Sequence, residues 1–241
     1  MTDAHIQDPS VETPGLDSDE VGSVPRLPGS VESAPPGQKG FDTNARVTAT
    51  VAKEFAVSGY KFAIRYVSRE ANEKAADLNH DEALGILNSG LALMAVQHVE
   101  GPHWKPPAAL GTKYGTTAAA HMAAIGFPER VNVWLDLEEV AKGTPVQHII
   151  DYCNNWSAAV SAKHFEPGLY VGSNSGLNGD QLSKLKFTHF WKSESTVPPV
   201  PGRGYQLIQK PEKSVHGLEH LLDITQDDEM KGAVQWLRVR K

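Results

Sequence analysis

The sequence predicts an α/β fold in which eight strands close into an irregular (β/α)8 barrel of the TIM type, preceded by a disordered N-terminal tail. Three observations support this prediction. Strand-like and helix-like patterns alternate from Gly40 to the C-terminus. One apolar run, at 131–135, has the length and composition of a strand that is buried on both faces. The first 39 residues differ in composition from everything that follows them.

Residues 1–39 are predicted to form the tail, and residues 40–241 the barrel. The tail is rich in proline and serine, has seven acidic residues against two basic ones, and contains no aromatic residue. It cannot bury enough apolar surface to offset the entropy that ordering would cost. We therefore expect the tail to be dispensable for folding.

The predicted elements follow from short apolar runs and from amphipathic patterns between turn residues. The strands are expected at 40–42, 62–67, 91–96, 131–135, 169–171, 188–191, 205–208 and 221–224. The helices are expected at 48–58, 81–88, 116–125, 145–160, 181–185 and 227–237.

Two features of this pattern qualify the barrel. The connection between the sixth and seventh strands is too short for a proper helix, so one side of the barrel should be irregular. Strand order is not visible in a single sequence, and a doubly wound open sheet is therefore the alternative fold.

The fourth predicted strand runs directly into acidic residues, Asp136 and Glu138. Side chains two apart on a strand point the same way, so these two carboxylates should face one side, about 6.6 Å apart along the strand. Such a pair at the mouth of an α/β fold suits acid/base chemistry. The alternative is a strand that ends in solvent with acidic residues at its tip.

Polar and aromatic side chains also follow the other predicted strands. Because the active sites of such barrels lie at the carboxyl ends of the strands, we expect these side chains to line one cleft, with aromatic rings that can stack on sugars. Each has a structural alternative, such as a helix cap for Asp42, a core position for Trp191 or a structural hydrogen bond for His98. The candidates are Asp42, Arg65, Tyr66, Gln97, His98, Asp136, Glu138, Tyr170, Trp191, Gln209 and Asp223.

Composition and motifs exclude several other classes of protein. The net charge of −6 gives no basic footprint for nucleic acid. The single cysteine, Cys153, lies on an apolar helical stripe and is predicted to be a buried core thiol. No apolar run reaches the ~18 residues of a membrane span. Dinucleotide-binding and Walker motifs are missing, so no cofactor is predicted.

A metal site is the main chemical rival, because clustered carboxylates also suit Mg²⁺ or Ca²⁺. The sequence has no His-x-x-x-His, Cys-x-x-Cys or EF-hand spacing, which argues against zinc and against an EF-hand. We predict no metal.

Four short motifs, in this order and spacing, resemble a known family. The run 40–44 resembles the first-strand Gly-[Phe/Ile]-Asp motif of the glycoside-hydrolase-like domain of unknown function 1906. That family is related to the family 25 lysozymes, which are muramidases with an irregular (β/α)8 barrel. The run 134–138 is similar to their fourth-strand Asp-x-Glu, 168–172 to their Gly-[Ile/Leu]-Tyr strand, and 222–224 to a late strand with a further Asp. The resemblance covers about 40–238, although Gln209-Lys210 does not match the lysozyme pattern.

The resemblance implies roles for the acidic residues. Glu138 would be the general acid, and Asp136 would stabilise the oxocarbenium-like centre or orient a 2-acetamido group. Asp42 and Asp223 would shape the electric field and hold the sugar or the other acids. Partial burial and acidic neighbours should raise the pKa of Glu138, while Asp136 stays ionised.

The leading interpretation is a peptidoglycan-directed glycoside hydrolase that cleaves β-1,4 bonds next to N-acetylmuramic acid. The alternative is a non-catalytic carbohydrate- or cell-wall-binding domain on the same barrel. The expected partner is peptidoglycan or a related amino-sugar polysaccharide, and the protein is expected to be a monomer. The N-terminus lacks the basic start and apolar core of a secretory signal. A wall hydrolase of this sequence would therefore leave the cytoplasm by a non-classical route.

Overall fold

Eight strands, β2 to β9, form a closed barrel in the computed structural model, which describes residues 26–72, 74–211 and 214–240. Consecutive strands pair with each other, and β9 pairs back with β2. This confirms the predicted α/β barrel, and each predicted strand overlaps one strand of the ring. The ten strands are β1 (Ser30–Ser33), β2 (Lys39–Thr43), β3 (Phe62–Val67), β4 (Ala92–Gln97), β5 (Asn132–Leu137), β6 (Glu166–Val171), β7 (His189–Lys192), β8 (Leu207–Lys210), β9 (Leu221–Thr225) and β10 (Gln235–Arg238).

The last strand of the ring, β9, runs antiparallel to both of its neighbours, whereas β2 to β8 pair in parallel. An antiparallel pair needs no crossover helix, and the described residues between β8 and β9 form none. Asp223 consequently lies in the middle of its strand, opposite Gly40 of β2 and Gln209 of β8. The prediction that Asp223 lies at the carboxyl end of a parallel strand is wrong.

The helices lie outside the ring. The two longest approach each other closely because two glycines of one face the backbone of the other. A Cβ on Gly111 would lie 2.2 Å from the carbonyl oxygen of Tyr152, and one on Gly115 would lie 2.6 Å from that of Trp156. Cys153 is buried on the helix that carries Tyr152 and Trp156, as predicted. The helices are α1 (Ala49–Val57), α2 (His80–Ser89), α3 (Ala108–Ile125), α4 (Val146–Ser161) and α5 (Gly179–Leu182).

The connection between β7 and β8 contains no helix, which agrees with the predicted irregularity. Helix α3 begins eight residues before the predicted 116–125 and takes in part of the proline-rich segment before it. Among the described residues, no helix combines the length and the apolar character that a membrane crossing requires.

Strand β10 fills a gap at the amino-terminal end of the barrel. Strands β4 and β5 pair only from Ala95 onward, and β10 pairs with β4 below that point, at Leu93. The side-chain oxygen of Asn132 accepts a hydrogen bond of 2.6 Å from the backbone N–H of Gln235. Trp236 is completely buried and lies 5.6 Å from the ring of Phe62. This strand therefore closes the floor of the barrel.

The predicted helix at 227–237 is not formed, and this prediction is wrong. The buried carboxylate of Asp228 accepts hydrogen bonds from the backbone N–H groups of Met230 and Gly232, at 2.9 and 2.5 Å. These bonds fix a turn where a helix would need the same N–H groups for its own ladder. The apolar residues whose spacing predicts a helix are instead buried in and next to the strand that follows the turn, at Val234, Trp236 and Leu237.

The prediction of a disordered tail is wrong for residues 26–39. Strand β1 pairs antiparallel with β10, and Leu27 and Ala34 on either side of it are 2% and 3% exposed. The pattern of 227–237 predicts a helix, so the sequence does not indicate a pairing partner for β1. Residues 1–25 lie outside the described part of the chain.

Leu27→Ala is expected to lower the free energy of unfolding by about 2 kcal/mol, because it removes a buried side chain that joins β1 to the barrel. Val57→Ala is the matched control, since Val57 is 81% exposed and its loss should change stability by less than about 0.5 kcal/mol. Urea denaturation curves of the two variants measure the difference. Coinciding midpoints would show that the segment before Gly40 contributes nothing to the fold.

Inside the barrel, large rings lie against glycines on the neighbouring strands. A Cβ on Gly40 would lie 2.4 Å from the ring of Phe62, and one on Gly168 would lie 2.3 Å from the ring of Trp134. Rings therefore fill the lower half of the barrel. The remaining space, towards the carboxyl ends of the parallel strands, is where the acidic side chains lie.

Candidate active site

Four carboxylates share the interior of the barrel at this end. Asp42 of β2 and Asp136 of β5 are each 4% exposed, Asp223 of β9 is not exposed at all, and Glu138, just past β5, is half-buried. The four groups lie close enough to interact. Burial raises the pKa of Asp136, and the charges of Glu138 and Asp42 raise it further. Glu138 is thus the carboxylate of the four that solvent reaches best. The structure brings together all four predicted acids.

Asp42 is held by the amide of Gln209. Gln209 donates from Nε2 to the Asp42 carboxylate at 2.8 Å, and its Oε1 accepts from the hydroxyl of Tyr170 at 3.0 Å. Burial raises the pKa of Asp42 to about 6, although the hydrogen bonds from Gln209 and Asp223 oppose this shift. The predicted residues Tyr170 and Gln209 therefore lie in the site, where they orient an acid.

Asp223 and Trp191 form the floor of the site. The indole N–H of Trp191 donates to one Asp223 oxygen at 2.9 Å, while the other oxygen has no donor among the described residues. Burial and the charge of Asp42 raise the pKa of Asp223 well above its ordinary value. A protonated Asp223 can donate a hydrogen bond to the Asp42 carboxylate. This contact raises the pKa of the donor, Asp223, and lowers the pKa of the acceptor, Asp42. Because both Asp223 and Trp191 are completely buried, the prediction that Trp191 binds substrate is wrong.

Asp136 differs most from its predicted state. It is almost completely buried, and its Oδ1 has no hydrogen-bond donor among the described residues. Burial, then the charges of Glu138 and Asp42, raise its pKa well above the ordinary value. The pKa of Glu138 is also raised, by burial and by the neighbouring charge of Glu139. Glu138 thus has a raised pKa as predicted, but the pKa of Asp136 is raised as well, which contradicts the prediction that Asp136 stays ionised.

Trp104 and Gly172 hold Glu138 in place, and neither of them is among the site residues predicted from the sequence. The indole N–H of Trp104 donates to the Glu138 carbonyl oxygen at 2.8 Å. A Cβ on Gly172 would lie 2.5 Å from the Glu138 carboxylate, so only glycine leaves room for that group. Gly172 ends a strand motif visible in the sequence, whereas Trp104 lies in the proline-rich segment and gave no signal of this contact.

Tyr66 and His98 form one rim of the site. Their rings lie 4.7 Å apart, and His98 Nε2 lies 2.8 Å from a carboxylate oxygen of Asp77, a partner that sequence reasoning missed. Burial lowers the pKa of His98, although the hydrogen bond with Asp77 opposes this shift. Burial raises the pKa of Tyr66, and the charges of Asp42 and Asp136 raise it further. The Tyr66 hydroxyl therefore lies near these two carboxyl groups.

Arg65 does not face the site, and the prediction that it binds substrate is wrong. Its guanidinium lies outside the barrel wall and is completely buried. It donates to the Glu82 carboxylate of α2 at 2.6 Å, to the Ala76 carbonyl at 2.8 Å and to the Thr43 carbonyl. Arg65 therefore ties α2 and the loop before it to the end of β2.

Gln97 also points away from the site, towards α3 and α4. Its amide donates to the carbonyl oxygens of Ser68 and Tyr114 at 3.1 and 2.9 Å, and it accepts from the Trp156 indole at 2.8 Å. All of its hydrogen-bonding atoms are engaged in this helix packing. The prediction that Gln97 contacts substrate is wrong.

The four carboxyl groups of the site should contribute less to stability as the pH rises from about 4 towards neutrality. The pKa of Asp42 is about 6 in the fold against an ordinary value of 3.8, and those of Asp136, Asp223 and Glu138 shift the same way. A raised pKa gives stability that is present below the unfolded-state value and is lost as the pH passes the folded-state value.

Asp223→Asn isolates this effect, because an asparagine amide can replace the donor of the protonated acid. We expect the variant to gain stability relative to the native chain as the pH rises from 4 to 7, measured by urea denaturation at each pH. A stability difference that is constant over this range would contradict the raised pKa of Asp223.

Among the described residues, no group of three or more His, Cys, Asp or Glu side chains has an arrangement that could hold a metal ion. Asp223 and Asp136 are held apart from solvent by the aromatic floor and by the strands themselves.

The chain is similar to one protein family and to several solved structures. A model of the Rv2525c-like, glycoside hydrolase-like domain matches residues 53–228. The crystal structure of the Tat-secreted protein Rv2525c of Mycobacterium tuberculosis is 17% identical, over 82% of this chain and 98% of that chain, with a TM-score of 0.58. The resemblance to a glycoside-hydrolase-like family is thereby confirmed.

Two further structures are similar at lower identity. The muramidase from Trichobolus zukalii is 13% identical, over 78% of this chain and 93% of that chain, with a TM-score of 0.57. The catalytic domain of the endolysin ply40 from bacteriophage P40 of Listeria monocytogenes is 15% identical, over 79% and 93%, with a TM-score of 0.57. At these identities the likeness is one of fold. No match was found among curated protein sequences.

Proposed function

Since the chain belongs to the Rv2525c-like, glycoside hydrolase-like family, we propose that it is a peptidoglycan-directed hydrolase that cleaves β-1,4 bonds next to N-acetylmuramic acid. The observation that carries this proposal is the position of Glu138. It is half-buried at the mouth of the barrel, above three carboxyl groups that are almost completely buried. The muramidase and endolysin folds named above support the choice of substrate.

Glu138 serves as the general acid in this proposal. Burial and the charge of Glu139 raise its pKa, which increases the fraction that carries a proton near neutral pH. Trp104 and Gly172 fix the backbone and the space that its carboxyl group occupies. The proton passes to the glycosidic oxygen as the bond to the anomeric carbon breaks.

Asp136 stabilises the positive charge that develops on the sugar in this proposal. Its pKa is raised, because it is buried beside other acids. A cationic sugar above it favours the ionised form and lowers that pKa again. Asp136 gives its proton to Glu138, whose own proton has gone to the leaving oxygen. Water then adds to the anomeric carbon and gives a proton to ionised Asp136, which restores both acids. The pair therefore titrates as a unit rather than as two independent acids.

A non-catalytic carbohydrate-binding domain is the second candidate. The observation that favours it is the burial of Asp136, which is only 4% exposed and whose Oδ1 lacks a donor among the described residues. An acid that stays protonated in the presence of a sugar would bind the ring without stabilising a cation.

Release of reducing ends from purified peptidoglycan tests the proposal. The expected product carries N-acetylmuramic acid at its new reducing end, identified by borohydride reduction and mass spectrometry. Sedimentation with the insoluble wall, measured in parallel, reports binding. Binding without any release of reducing ends, on walls of several chemical types, would favour the carbohydrate-binding domain instead.

A further inference from the structure

A cavity of about 430 Å³ lies at the same end of the barrel as the carboxylates, beside them. Its walls come from the loops that follow β4, β5 and β6 and from the first turns of α4. The side chains that matter here are those of His103, Lys142, Thr144 and Asn174, with Val140 and Ile149 as an apolar base. The cavity is thus polar around its edge and apolar beneath.

Backbone hydrogen bonds join the three loops into one structure. The loop after β4 is joined to the loop after β5 by the N–H of His103, which donates to the Glu139 carbonyl at 2.8 Å. The N–H of Val140 in turn donates to the carbonyl of Asn174, in the loop after β6, at 3.0 Å. The walls of the cavity are therefore formed before any ligand arrives, which limits the entropy that binding would cost.

The cavity differs in charge from the acidic site next to it. None of its lining side chains is acidic, and two of them, His103 and Lys142, are exposed bases. Lys142 has no ion-pair partner among the described residues. The nearby carboxylate of Glu139 is already engaged by the hydroxyl of Ser173 and the amide of Asn174, at 2.5 and 3.3 Å. An anion in the cavity would therefore meet the positive charge of Lys142, while the carboxylate of Glu139 is hydrogen-bonded outside the lining.

The loops that line the cavity also carry or contact the proposed catalytic acid, which is not itself a lining residue. Val140 follows Glu138 by two residues, and Asn174 follows Gly172, which contacts Glu138, by two residues. On the third side, His103 precedes Trp104, whose indole binds the Glu138 carbonyl. A glycan that presents its glycosidic oxygen to Glu138 thus has this cavity within reach of substituents on the adjoining sugar.

We propose that the cavity binds a carboxylate-bearing substituent of the glycan, of the kind that the lactyl and peptide groups of N-acetylmuramic acid provide. Lys142 pairs with the carboxylate, His103 donates a further hydrogen bond, and Val140 and Ile149 contact the apolar part of the substituent. The assignment rests on the proposed function and deepens it, because it names the residues that would recognise the acidic substituent of N-acetylmuramic acid.

Binding of two soluble glycans by the full-length Glu138→Gln protein tests the assignment without consuming the ligands. One is a tetrasaccharide of peptidoglycan that carries its peptides, and the other is neutral chitotetraose. Adding Lys142→Ala should weaken binding of the peptidoglycan fragment by about fivefold, since one partly exposed charge pair is lost, and should change chitotetraose binding by less than about twofold. Lys142→Arg should bind the peptidoglycan fragment nearly as tightly as the protein with Lys142 does, because arginine keeps the positive charge.

Lys53→Ala, which removes an exposed lysine on α1, is the matched control and should leave both affinities unchanged. Equal losses on the two glycans after Lys142→Ala, or no loss on either, would overturn the cavity assignment. The hydrolase proposal fails separately, if the native chain releases no reducing ends while Lys142 still distinguishes the two glycans.

Discussion

Glu138→Gln is expected to lower the rate of peptidoglycan hydrolysis by at least about 10²-fold while leaving binding to the wall nearly unchanged. Glutamine keeps the shape of the side chain beside Gly172 but cannot donate an acidic proton to a leaving oxygen. The effect should appear in kcat rather than in KM, because the contact with the sugar is kept and only the proton transfer is lost. Reducing-end release and wall sedimentation measure the two quantities.

The matched control is Glu129→Gln, which changes the net charge equally. Glu129 is exposed in the turn that precedes β5, at the opposite end of the barrel from Glu138. We expect its variant to hydrolyse the wall within about twofold of the native rate. A Glu138→Gln protein that is as active as this control would rule out Glu138 as the acid.

Asp136→Asn separates the two members of the pair. Its loss should also reduce turnover, because an amide cannot balance the developing charge of the sugar. The raised pKa of Asp136 keeps it neutral while Glu138 loses its proton, so the pH at which Glu138 titrates should be nearly unchanged in the variant. A limb of the pH–rate profile that moves to lower pH would mean that Asp136 is ionised in the native chain.

The ring of strands was predictable from the sequence because most of its strands contain a short apolar run, and because helices alternate with strands from β2 to β7. The direction of β9 was not predictable, since the spacing of a run such as 221–224 is the same in either direction. Strands β1 and β10 were missed for a related reason. Each has only four residues, and each is stabilised by its pairing with the other rather than by its own pattern.

The acids of the site were predictable because they directly follow or interrupt apolar strands. Side-chain alternation explains which neighbours were wrong. Arg65 and Tyr66 are adjacent on β3 and cannot both face the interior, and the same holds for Gln97 and His98 at the end of β4. In each pair the residue nearer the amino end packs against helices. The pKa of Asp136 depends on its burial by distant segments, which no local pattern records.

Arg65→Met is expected to lower the free energy of unfolding by about 3–5 kcal/mol, because it leaves a buried carboxylate without its cation. Both side chains of the Arg65–Glu82 pair are completely buried. One Glu82 oxygen also accepts from the backbone N–H of Val47 at 2.8 Å, while the other has no donor among the described residues. Removal of the guanidinium therefore leaves a charge that solvent cannot reach, in the wall that supports β2 and Asp42.

Two further variants show that the loss comes from the unpaired charge. Arg65→Met combined with Glu82→Leu removes both charges and should recover most of the lost stability, measured by urea denaturation. Arg69→Met breaks a pair with Glu100 whose side chains are 19% and 30% exposed, so it should cost no more than about 1 kcal/mol. A substrate-binding Arg65 would give the opposite pattern, with weaker binding of peptidoglycan and an unchanged denaturation midpoint in the single variant. Because the hydrogen bonds of Arg65 to described residues reach α2, the loop before it and the end of β2, its removal should lower the stability of this wall.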